Sequence, residues 1–524
     1  MLTCNVMTRY VLEVGGSTSH AYRANNRPSR GMRQAIRVGS TELGASVHRL
    51  GRIQLVAALV FVITAIFSTG FHHWDEHFQV LEFAGWKLGL SPVQDLPWEF
   101  AARIRPAIQP FIVVQVHHSM GLFGSVDPFV ITFVLRAISA ALWYMATILM
   151  LQAFMPSVHD PRSRKWFALL SFFLWFSVYN AVRFSSENWS GSLFMIGLAL
   201  VIRKEQRNGL GPYLTAGLLF GLAFTFRMQT ALMTGGLFAW LLIIQREPWR
   251  KLVAMAGGTL ITVALGICID RWFYGEWTLT VLNYFDANML QGKAAAFGTQ
   301  PWYAYFVDTV MVTLPPFSLI FVLAPLILVL FKPKSVLVWV FAPFLLVHCM
   351  IGHKELRFLF PIVGLLPIMI IIAIDIVRTK WLPRLTGSRI FNGTVKLFWV
   401  ANLVLLGVVM VKPADAQIGL YKTIHDNYPD PITMYNFGED PYHRVEQINF
   451  YSRPGLEHGG TITDNTRITS ERPILIATMN PSDVLDRWPE HELVFASLPA
   501  WVKHFNFNGW LERTDQWYVY EVNN

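Results

Sequence analysis

Charged side chains are scarce in this chain of 524 residues. Asp, Glu, Lys and Arg together make up 15% of it, whereas soluble domains carry about 25%. So low a charged fraction excludes a soluble enzyme, a disordered chain and a fibrous protein. Hydrophobic residues make up 53% of the chain. We therefore predict an α-helical membrane protein that crosses the bilayer many times.

Cysteine is also rare, with three residues in the whole chain. Cys268 and Cys349 lie within apolar runs and Cys4 lies near the start, so no disulfide framework or Cys-x-x-Cys metal site is expected. Residues 1–50 are polar, contain seven Arg and have none of the apolar core of a cleavable signal peptide. We predict that they form a flexible basic tail in the cytoplasm.

After this tail the chain is a succession of apolar runs, each roughly long enough to cross a hydrocarbon layer about 30 Å thick. Lys and Arg crowd into alternate short connections, as in cytoplasmic loops. This places two long loops, 71–127 and 271–304, on the opposite side. The net charge of +9 therefore reflects topology, and no nucleic-acid partner is expected. The eleven predicted spans are 52–70, 128–154, 166–182, 189–202, 212–226, 229–245, 252–270, 305–331, 335–351, 358–377 and 395–411.

The segment 413–524 differs in kind from the transmembrane domain predicted at 51–412. Its apolar residues alternate with polar ones, which is typical of strands separated by turns. Asn480-Pro481-Ser482-Asp483 has the composition of a helix start. We predict a small extracytoplasmic α/β domain. Its predicted strands are Ile432–Phe437, Pro473–Met479, Glu492–Leu498 and Trp517–Val522.

Ionisable residues crowd into the start of the first long loop. If residues 75–85 are helical, Asp75, Gln79 and Glu82 share one face, and an apolar opposite face lets the helix rest on the membrane surface. One interpretation is a carboxylate that acts as a general base at the boundary; the other is an interfacial helix with a solvated polar face. The three histidines nearby match no metal-ligand spacing, so no metal site is predicted.

The same loop continues with a second candidate interfacial helix. Trp98, Ala102 and Arg105 have helical spacing, which predicts a short amphipathic segment in the interface. Anchoring is one role for it, and binding of an anionic group by Arg105 is another. The second long loop is rich in Trp, Tyr and Asn, a composition that suits either sugar binding or an aromatic belt.

A short turn between two later spans carries four ionisable residues. His353, Lys354 and Arg357 at the outer boundary are a suitable receptor for a lipid phosphate. Alternatively, Glu355 pairs with Lys354 or Arg357 and only stabilises the turn.

Taken in order, these segments resemble glycosyltransferase family 22, and within it the branch that builds glycosylphosphatidylinositol (GPI) precursors. The resemblance covers about 51–412 well and the last domain thinly. The matching residues are Asp75, Glu76, Gln79 and Glu82; Trp98, Glu99, Arg103, Arg105 and Pro110; Ile269, Asp270, Arg271, Gly275, Trp277, Thr278, Leu279, Asn283, Asn288, Gly298, Pro301 and Trp302; and His353, Lys354, Glu355, Arg357, Phe358 and Pro361.

The resemblance implies a GT-C fold and an inverting mannosyltransferase. Its donor would be mannose on a polyprenyl phosphate, its acceptor a hydroxyl of a lipid-linked glycan, and its product an α-mannoside, α-1,2 by analogy. Asp75 is the first candidate for the general base and Glu76 the second. No metal, cofactor or nucleotide-sugar site is implied. The candidate phosphate ligands are His353, Lys354, Arg357 and Arg105, and the candidate substrate contacts are Gln79, Glu82, Trp98, Asn283, Asn288 and Trp302.

Two alternatives remain. One is a GT-C transferase for another sugar or a protein acceptor; the other is a transporter, against which the boundary position of the charges and the absence of a repeat argue. The active site is predicted on the non-cytoplasmic face. The glycosylation sequon at Asn188 abuts a predicted span, and the one at Asn392 is predicted to face the cytoplasm. This arrangement favours a bacterial inner membrane; the endoplasmic reticulum membrane is expected for a eukaryotic protein.

Overall fold

The computed structural model describes residues 50–524, except 125, 204–208, 385–386, 464–467, 469–472, 507–508, 510, 512–513 and 524. The predicted basic tail therefore lies outside the described residues, apart from Leu50. Residues 53–524 form one compact unit.

Four of the described helices are long and apolar enough to cross a membrane: Leu50–Phe67, Pro128–Ser157, Trp249–Tyr274 and Arg389–Val411. Two bent pairs raise the number to six. Leu319–Phe331 and Val336–Met350 meet at 119°, and Leu356–Val363 and Leu366–Lys380 meet at 74°. The other helices in apolar runs are Pro161–Phe173, Trp175–Ala181, Ser186–Ile202, Gly211–Phe226, Ala231–Ala239 with Trp240–Ile244, and Ala304–Thr313.

Each predicted span contains a helix, but eleven uninterrupted crossings are not confirmed. The predicted span 305–331 is interrupted between Thr313 and Leu319 by two prolines, which lack the N–H that a helix needs. The predicted span 166–182 breaks at Leu174, which has an extended backbone. At this break the buried side chain of Asn402 accepts a hydrogen bond from the backbone N of Trp175 (3.1 Å) and donates one to the carbonyl O of Phe173 (2.7 Å). Satisfying these groups makes a break tolerable in an apolar setting.

The two long loops are themselves largely helical. The predicted helix through Arg105 is shorter than expected, because Arg103 has a left-handed backbone (φ 51°) that ends it at Ala102. Arg105 therefore lies beyond the helix. The first loop contains Trp74–Glu76, the π-helix His77–Glu82, Phe83–Leu88, Val93–Asp95, Trp98–Ala102 and Ile108–Gly121, and the second contains Thr280–Phe285, Asp286–Leu290 and Lys293–Ala296.

A five-stranded sheet near the end of the chain consists of Ile432–Asn436 (β1), Leu456–Thr461 (β2), Ile474–Thr478 (β3), His491–Ala496 (β4) and Tyr518–Val522 (β5). The strands lie in the order β2-β1-β3-β5-β4. Strand β1 pairs in parallel with β2 and β3, and β5 pairs antiparallel with β3 and β4. Four strands lie where the alternation predicts them, and β2 is an additional edge strand. The domain boundary at 412 stays a prediction. Helix Ile418–Asn427 precedes the strands.

The sheet region and the first loop share one hydrophobic core. Phe78, Leu81 and Val113 of the loop belong to the same buried cluster as Tyr421 and Tyr451. Residues 77–85 are consequently buried. The prediction that this helix rests on the membrane surface is wrong, because its apolar face packs against the C-terminal region. This packing fixes the position of Asp75 and Glu76, which immediately precede the buried helix.

A candidate active site of arginines and carboxylates

Asp75 lies at the start of the first loop, in the short helix Trp74–Glu76 that His73 caps. Nδ1 of His73 accepts a hydrogen bond from the backbone N of Asp75 at 3.2 Å. Oδ2 of Asp75 accepts one from Nη2 of Arg357 at 2.7 Å and lies 3.8 Å from Nη2 of Arg105. The Asp75 side chain is 26% exposed. It is thus paired with cations but still accessible to a substrate.

Arg357 is the centre of a wider network of ion pairs. Its side chain is 9% exposed, its Nε donates to Oε2 of Glu355 at 2.5 Å, and its Nη1 lies 3.6 Å from Oε1 of Glu187. The same oxygen of Glu187 accepts a hydrogen bond from Arg227 at 2.6 Å. A buried guanidinium needs several partners of this kind, since its planar fork can satisfy more than one carboxylate.

Arg105 extends the network towards the second short helix of the loop. Its Nη2 lies 3.7 Å from Oε1 of Glu99, which accepts a hydrogen bond from Nε2 of Gln79 at 3.2 Å. Arg105 and Glu99 thus link Asp75 to Gln79. We call this set the arginine–carboxylate cluster, and its members are Arg105, Arg227, Arg357, Asp75, Glu99, Glu187 and Glu355.

The cluster keeps Asp75 ionised. Burial alone would raise the pKa of the Asp75 carboxyl, but the His73 side chain, whose Nδ1 lies 3.4 Å from Oδ1 of Asp75, and the charges of Arg357 and Arg105 hold that pKa well below its usual range. Nε of Arg105 is buried and, within the described structure, has no hydrogen-bond partner. A buried donor left unpaired is costly, so this nitrogen is available to an anionic ligand.

Glu76 has the opposite electrostatic environment. Burial raises the pKa of its carboxyl to about 7, although the charge of Arg183 and a hydrogen bond from the backbone N of His72 (3.2 Å) act against the rise. Burial and Arg183 lower the pKa of the His72 imidazole to about 4, so that ring is neutral at pH 7. At pH 7 Asp75 is therefore ionised while Glu76 is about half protonated, so the two neighbouring carboxyls differ in protonation.

This difference predicts a pH-dependent stability. The folded-state pKa of Glu76 is about 7, against an ordinary value of 4.5, so the folded protein holds this proton more tightly. The stabilisation is complete below about pH 4.5 and is lost as the pH rises through 7. We expect the thermal midpoint of the purified protein to fall between pH 5 and pH 8, and Glu76→Gln to remove that part of the fall. An unchanged pH profile in the variant would exclude Glu76 as the group responsible.

The other two predicted phosphate ligands, Lys354 and His353, form hydrogen bonds with backbone carbonyl groups. Nζ of Lys354 donates to the carbonyl oxygens of Gln300 (3.1 Å) and Ile351, and the residue is buried. Nδ1 of His353 lies 3.0 Å from the carbonyl O of Gly298, and its Nε2 lies 2.9 Å from Oε1 of Glu355. These contacts fasten the turn at 353–357 to the second loop. The structure therefore brings Arg357 and Arg105 to Asp75, whereas Lys354 is directed to backbone carbonyls.

Glu82 lies in a different cluster from Asp75. It is fully buried, and its Oε1 accepts hydrogen bonds from the backbone N of Asn449 (2.9 Å) and Phe450 (3.0 Å) and lies 2.8 Å from Nε2 of His77. Its Oε2 accepts one from Ser91 at 2.5 Å. The prediction that Glu82 shares a face with Asp75 rests on α-helical spacing, and the π-helix His77–Glu82 changes that spacing. Glu82 joins the first loop to the sheet region, which argues against its predicted contact with substrate.

We expect Glu82→Gln to lower the free energy of unfolding by about 1.5–3 kcal/mol, the value of hydrogen bonds to a charged group. The amide has nearly the same volume, but its NH₂ group cannot accept from the donors that surround the carboxylate. Thermal unfolding of the purified protein measures the effect. Glu457→Gln, at an exposed position of β2, is the matched control. An equal midpoint in the two variants would show that Glu82 does not stabilise the junction.

The remaining predicted substrate contacts lie at the second loop and the helix beside it. The Trp98 ring lies 4.3 Å from Nζ of Lys293. Nδ2 of Asn283 donates to the carbonyl O of Arg103 (3.2 Å), and Nδ2 of Asn288 donates to that of Tyr284 (3.1 Å). Trp302 is 65% exposed. The two asparagines thus brace the loop backbone, and contact of these residues with a substrate stays a prediction.

Comparison with known proteins identifies the family. The model of the Alg9-like mannosyltransferase family matches residues 53–432. The chain belongs to the Alg9-like mannosyltransferase family. This membership confirms the resemblance that the polar motifs carry, and the match includes every predicted site residue from Asp75 to Arg357.

Individual relatives of this Alg9-like chain have low sequence identity to it, over part of its length. It is 26% identical over 335 residues to GPI alpha-1,2-mannosyltransferase 3 of Bos taurus, covering 62% of this chain and 59% of the relative. The Mus musculus protein of the same name is 29% identical over 299 residues, which cover 55% of this chain and 52% of the relative. A probable Dol-P-Man:Man(7)GlcNAc(2)-PP-Dol alpha-1,6-mannosyltransferase of Schizosaccharomyces pombe is 32% identical over 148 residues, covering 28% and 27%. The chain spans about half the length of the first two relatives.

Solved structures show the fold. ArnT from Cupriavidus metallidurans in the apo state superposes with a TM-score of 0.52 at 12% identity, covering 91% of this chain and 98% of that one. ArnT from the same organism bound to undecaprenyl phosphate superposes with a TM-score of 0.50 at 13% identity, covering 89% of this chain and 97% of that one. The mostly helical membrane fold predicted as GT-C is thereby confirmed for this Alg9-like chain.

Proposed function

We propose that this Alg9-like chain transfers mannose from a polyprenyl phosphate to a hydroxyl of a lipid-linked glycan, with inversion, to form an α-mannoside. The observation that carries the proposal is the Asp75 carboxylate, which is ionised, partly exposed and held between two arginines. The family supports the sugar, and the names of the mammalian relatives support an α-1,2 linkage.

Asp75 is the proposed general base. The acceptor hydroxyl is a weak nucleophile, so a carboxylate must take its proton while its oxygen attacks the anomeric carbon. Attack opposite the leaving phosphate inverts the configuration, as in inverting glycosidases. A β-linked donor then yields an α-mannoside.

Arg357 and Arg105 are the proposed stabilisers of the leaving phosphate. The phosphate gains negative charge as the glycosidic bond breaks, and fixed guanidinium donors stabilise that charge. Both arginines face Asp75 in the free protein. When either turns to the donor phosphate, Asp75 loses part of its cationic environment and its pKa rises. Donor binding would thus make Asp75 a stronger base at the moment when the base is needed.

The proposed partners follow from the same site. ArnT has been solved with undecaprenyl phosphate bound, which supports a polyprenyl phosphate as the lipid part of the donor. The relatives named above come from eukaryotes, which favours the endoplasmic reticulum membrane over a bacterial inner membrane. The proposed active site lies on the non-cytoplasmic face, where the distribution of Lys and Arg in the sequence predicts the first loop to lie. Membership in a transferase family argues against the transporter alternative.

A donor assay tests the proposal. The purified protein in lipid nanodiscs is given a lipid-linked mannosyl glycan as acceptor and, in parallel, polyprenyl-phosphate mannose, glucose or aminoarabinose. We expect product only with the mannose donor. Faster transfer from another donor would support the alternative of a GT-C transferase for a different sugar.

A further inference from the structure

A polar groove lies beside the candidate active site, between the first loop and the sheet region. Its volume is about 620 Å³, within the range of about 300–1,000 Å³ typical of small-molecule sites. Trp74, the residue directly before Asp75, forms one wall. The C-terminal region supplies the remaining residues that matter here: Glu439, His443, Arg444, Gln447 and Asp515.

We propose that this groove is the acceptor subsite, which holds the sugar unit next to the one that receives mannose. The inference rests on the proposed function and deepens it. Trp74 and Asp75 are consecutive, so their Cα atoms are about 3.8 Å apart. A glycan with its reacting hydroxyl at Asp75 therefore has its adjoining sugar within reach of Trp74 and the groove.

The groove wall at Trp74 is held in place by a partly buried ion pair. The Arg444 guanidinium lies 4.2 Å from the centre of the Trp74 ring, a distance typical of a cation–π contact. Nη1 of Arg444 donates to Oδ2 of Asp415 at 3.0 Å, and the backbone N of Asp415 is bonded to the carbonyl O of Thr69. The C-terminal region thus fixes the indole that lines the groove.

The chemistry of the groove suits hydroxyl groups. Glu439 and Asp515 are exposed carboxylates, Gln447 offers an amide, and His443 an imidazole. These groups accept and donate hydrogen bonds to a polyol, and an aromatic wall is compatible with the apolar face of a sugar.

The charge balance argues against a phosphate in the groove. Asp440 adds a third carboxylate to the lining, whereas the guanidinium of Arg444 is already bonded to Asp415. In the arginine–carboxylate cluster, by contrast, the buried Nε of Arg105 has no partner within the described part of the chain and can donate to an anion. The two sites therefore divide the substrates: the donor phosphate lies at the arginines and the uncharged glycan in the groove.

Acceptor kinetics of the Glu439→Gln/Asp515→Asn double variant test the proposal. We expect the KM for the lipid-linked glycan to rise about ten- to hundredfold, the loss of one or two hydrogen bonds. The kcat, the KM for the donor and hydrolysis of the donor without acceptor should stay within about twofold. Glu490→Gln/Asp486→Asn makes the same changes at exposed positions outside the groove and should leave the acceptor KM unchanged. An unchanged acceptor KM in the groove variant would overturn the proposal while leaving the transferase function intact.

Direct binding separates this proposal from the proposed function. Saturation-transfer NMR of the full-length protein with soluble mannotriose needs no donor and no turnover. We expect a signal with the wild type and with the Glu490→Gln/Asp486→Asn control, and a signal at least about fivefold weaker with the groove variant. Equal signals would overturn the glycan subsite, and a selective loss would support it even if no sugar donor gave transfer.

Discussion

Purified Asp75→Asn protein is expected to lose mannosyl transfer by about 10²- to 10⁴-fold, the contribution typical of a general base. The amide keeps the size of the carboxylate but cannot take a proton from the acceptor hydroxyl. It also removes the charge that pairs with Arg357 at 2.7 Å. Initial rates at saturating donor and acceptor measure the effect on kcat.

The matched control for this variant is Asp286→Asn. Asp286 is an exposed aspartate of the second loop that bonds to Gln291, so the same chemical change occurs outside the cluster. We expect wild-type turnover in the control. Both variants should keep the wild-type elution volume in size-exclusion chromatography, which checks that they are folded. Wild-type turnover of Asp75→Asn itself would remove Asp75 as the base and make Glu76 the candidate.

Arg357→Lys is expected to lower kcat by about 10²- to 10³-fold, as the loss of one fixed donor to a developing charge does elsewhere. Lysine keeps the positive charge that Asp75, Glu187 and Glu355 require, but it lacks the planar fork that reaches several oxygens at once. The KM for the donor should rise as well, because the donor already carries one negative charge. Rates over a range of donor concentrations separate the two effects.

Arg271→Lys is the control for this substitution, since Arg271 is exposed at the end of helix Trp249–Tyr274. It should leave both constants unchanged. Donor dependence in Arg357→Lys equal to that of the wild type would place the phosphate elsewhere. Arg105→Lys would then be the next variant to measure, because Arg105 lies 3.8 Å from Asp75 and its buried Nε has no hydrogen-bond partner among the described residues.

Hydropathy and alternation predict much of the fold. Apolar runs locate the helices, and the alternating pattern locates four of the five strands. The edge strand Leu456–Thr461 escapes prediction because a single apolar residue precedes Glu, His, two Gly and Thr. The break at Leu174 escapes it for a different reason: its partner Asn402 is 227 residues from Trp175, and no local pattern reports so distant a bond.

The candidate site shows the same division between local and distant information. The sequence singles out Asp75 as a boundary carboxylate and Arg357 as a boundary cation, but these residues are 282 positions apart and their contact is visible only in the fold. Glu187 also belongs to the cluster. Its position directly before an apolar run is the sequence signal that could have identified it as a carboxylate at the membrane boundary. Glu82 looks like a substrate ligand until the C-terminal backbone at Asn449, 367 residues away, is seen to occupy its carboxylate.

The configuration of the bond that the protein makes tests directly whether transfer is a single inverting displacement. Polyprenyl phosphate carrying β-linked, ¹³C-labelled mannose is incubated with the wild-type protein and a lipid-linked glycan, and the anomeric ¹³C–¹H coupling of the product is measured by NMR. A single displacement with Asp75 as base predicts an α-mannoside, which the Asp75→Asn variant forms about 10²- to 10⁴-fold more slowly. A β-mannoside, or labelled product at the wild-type rate from that variant, would contradict the proposed mechanism.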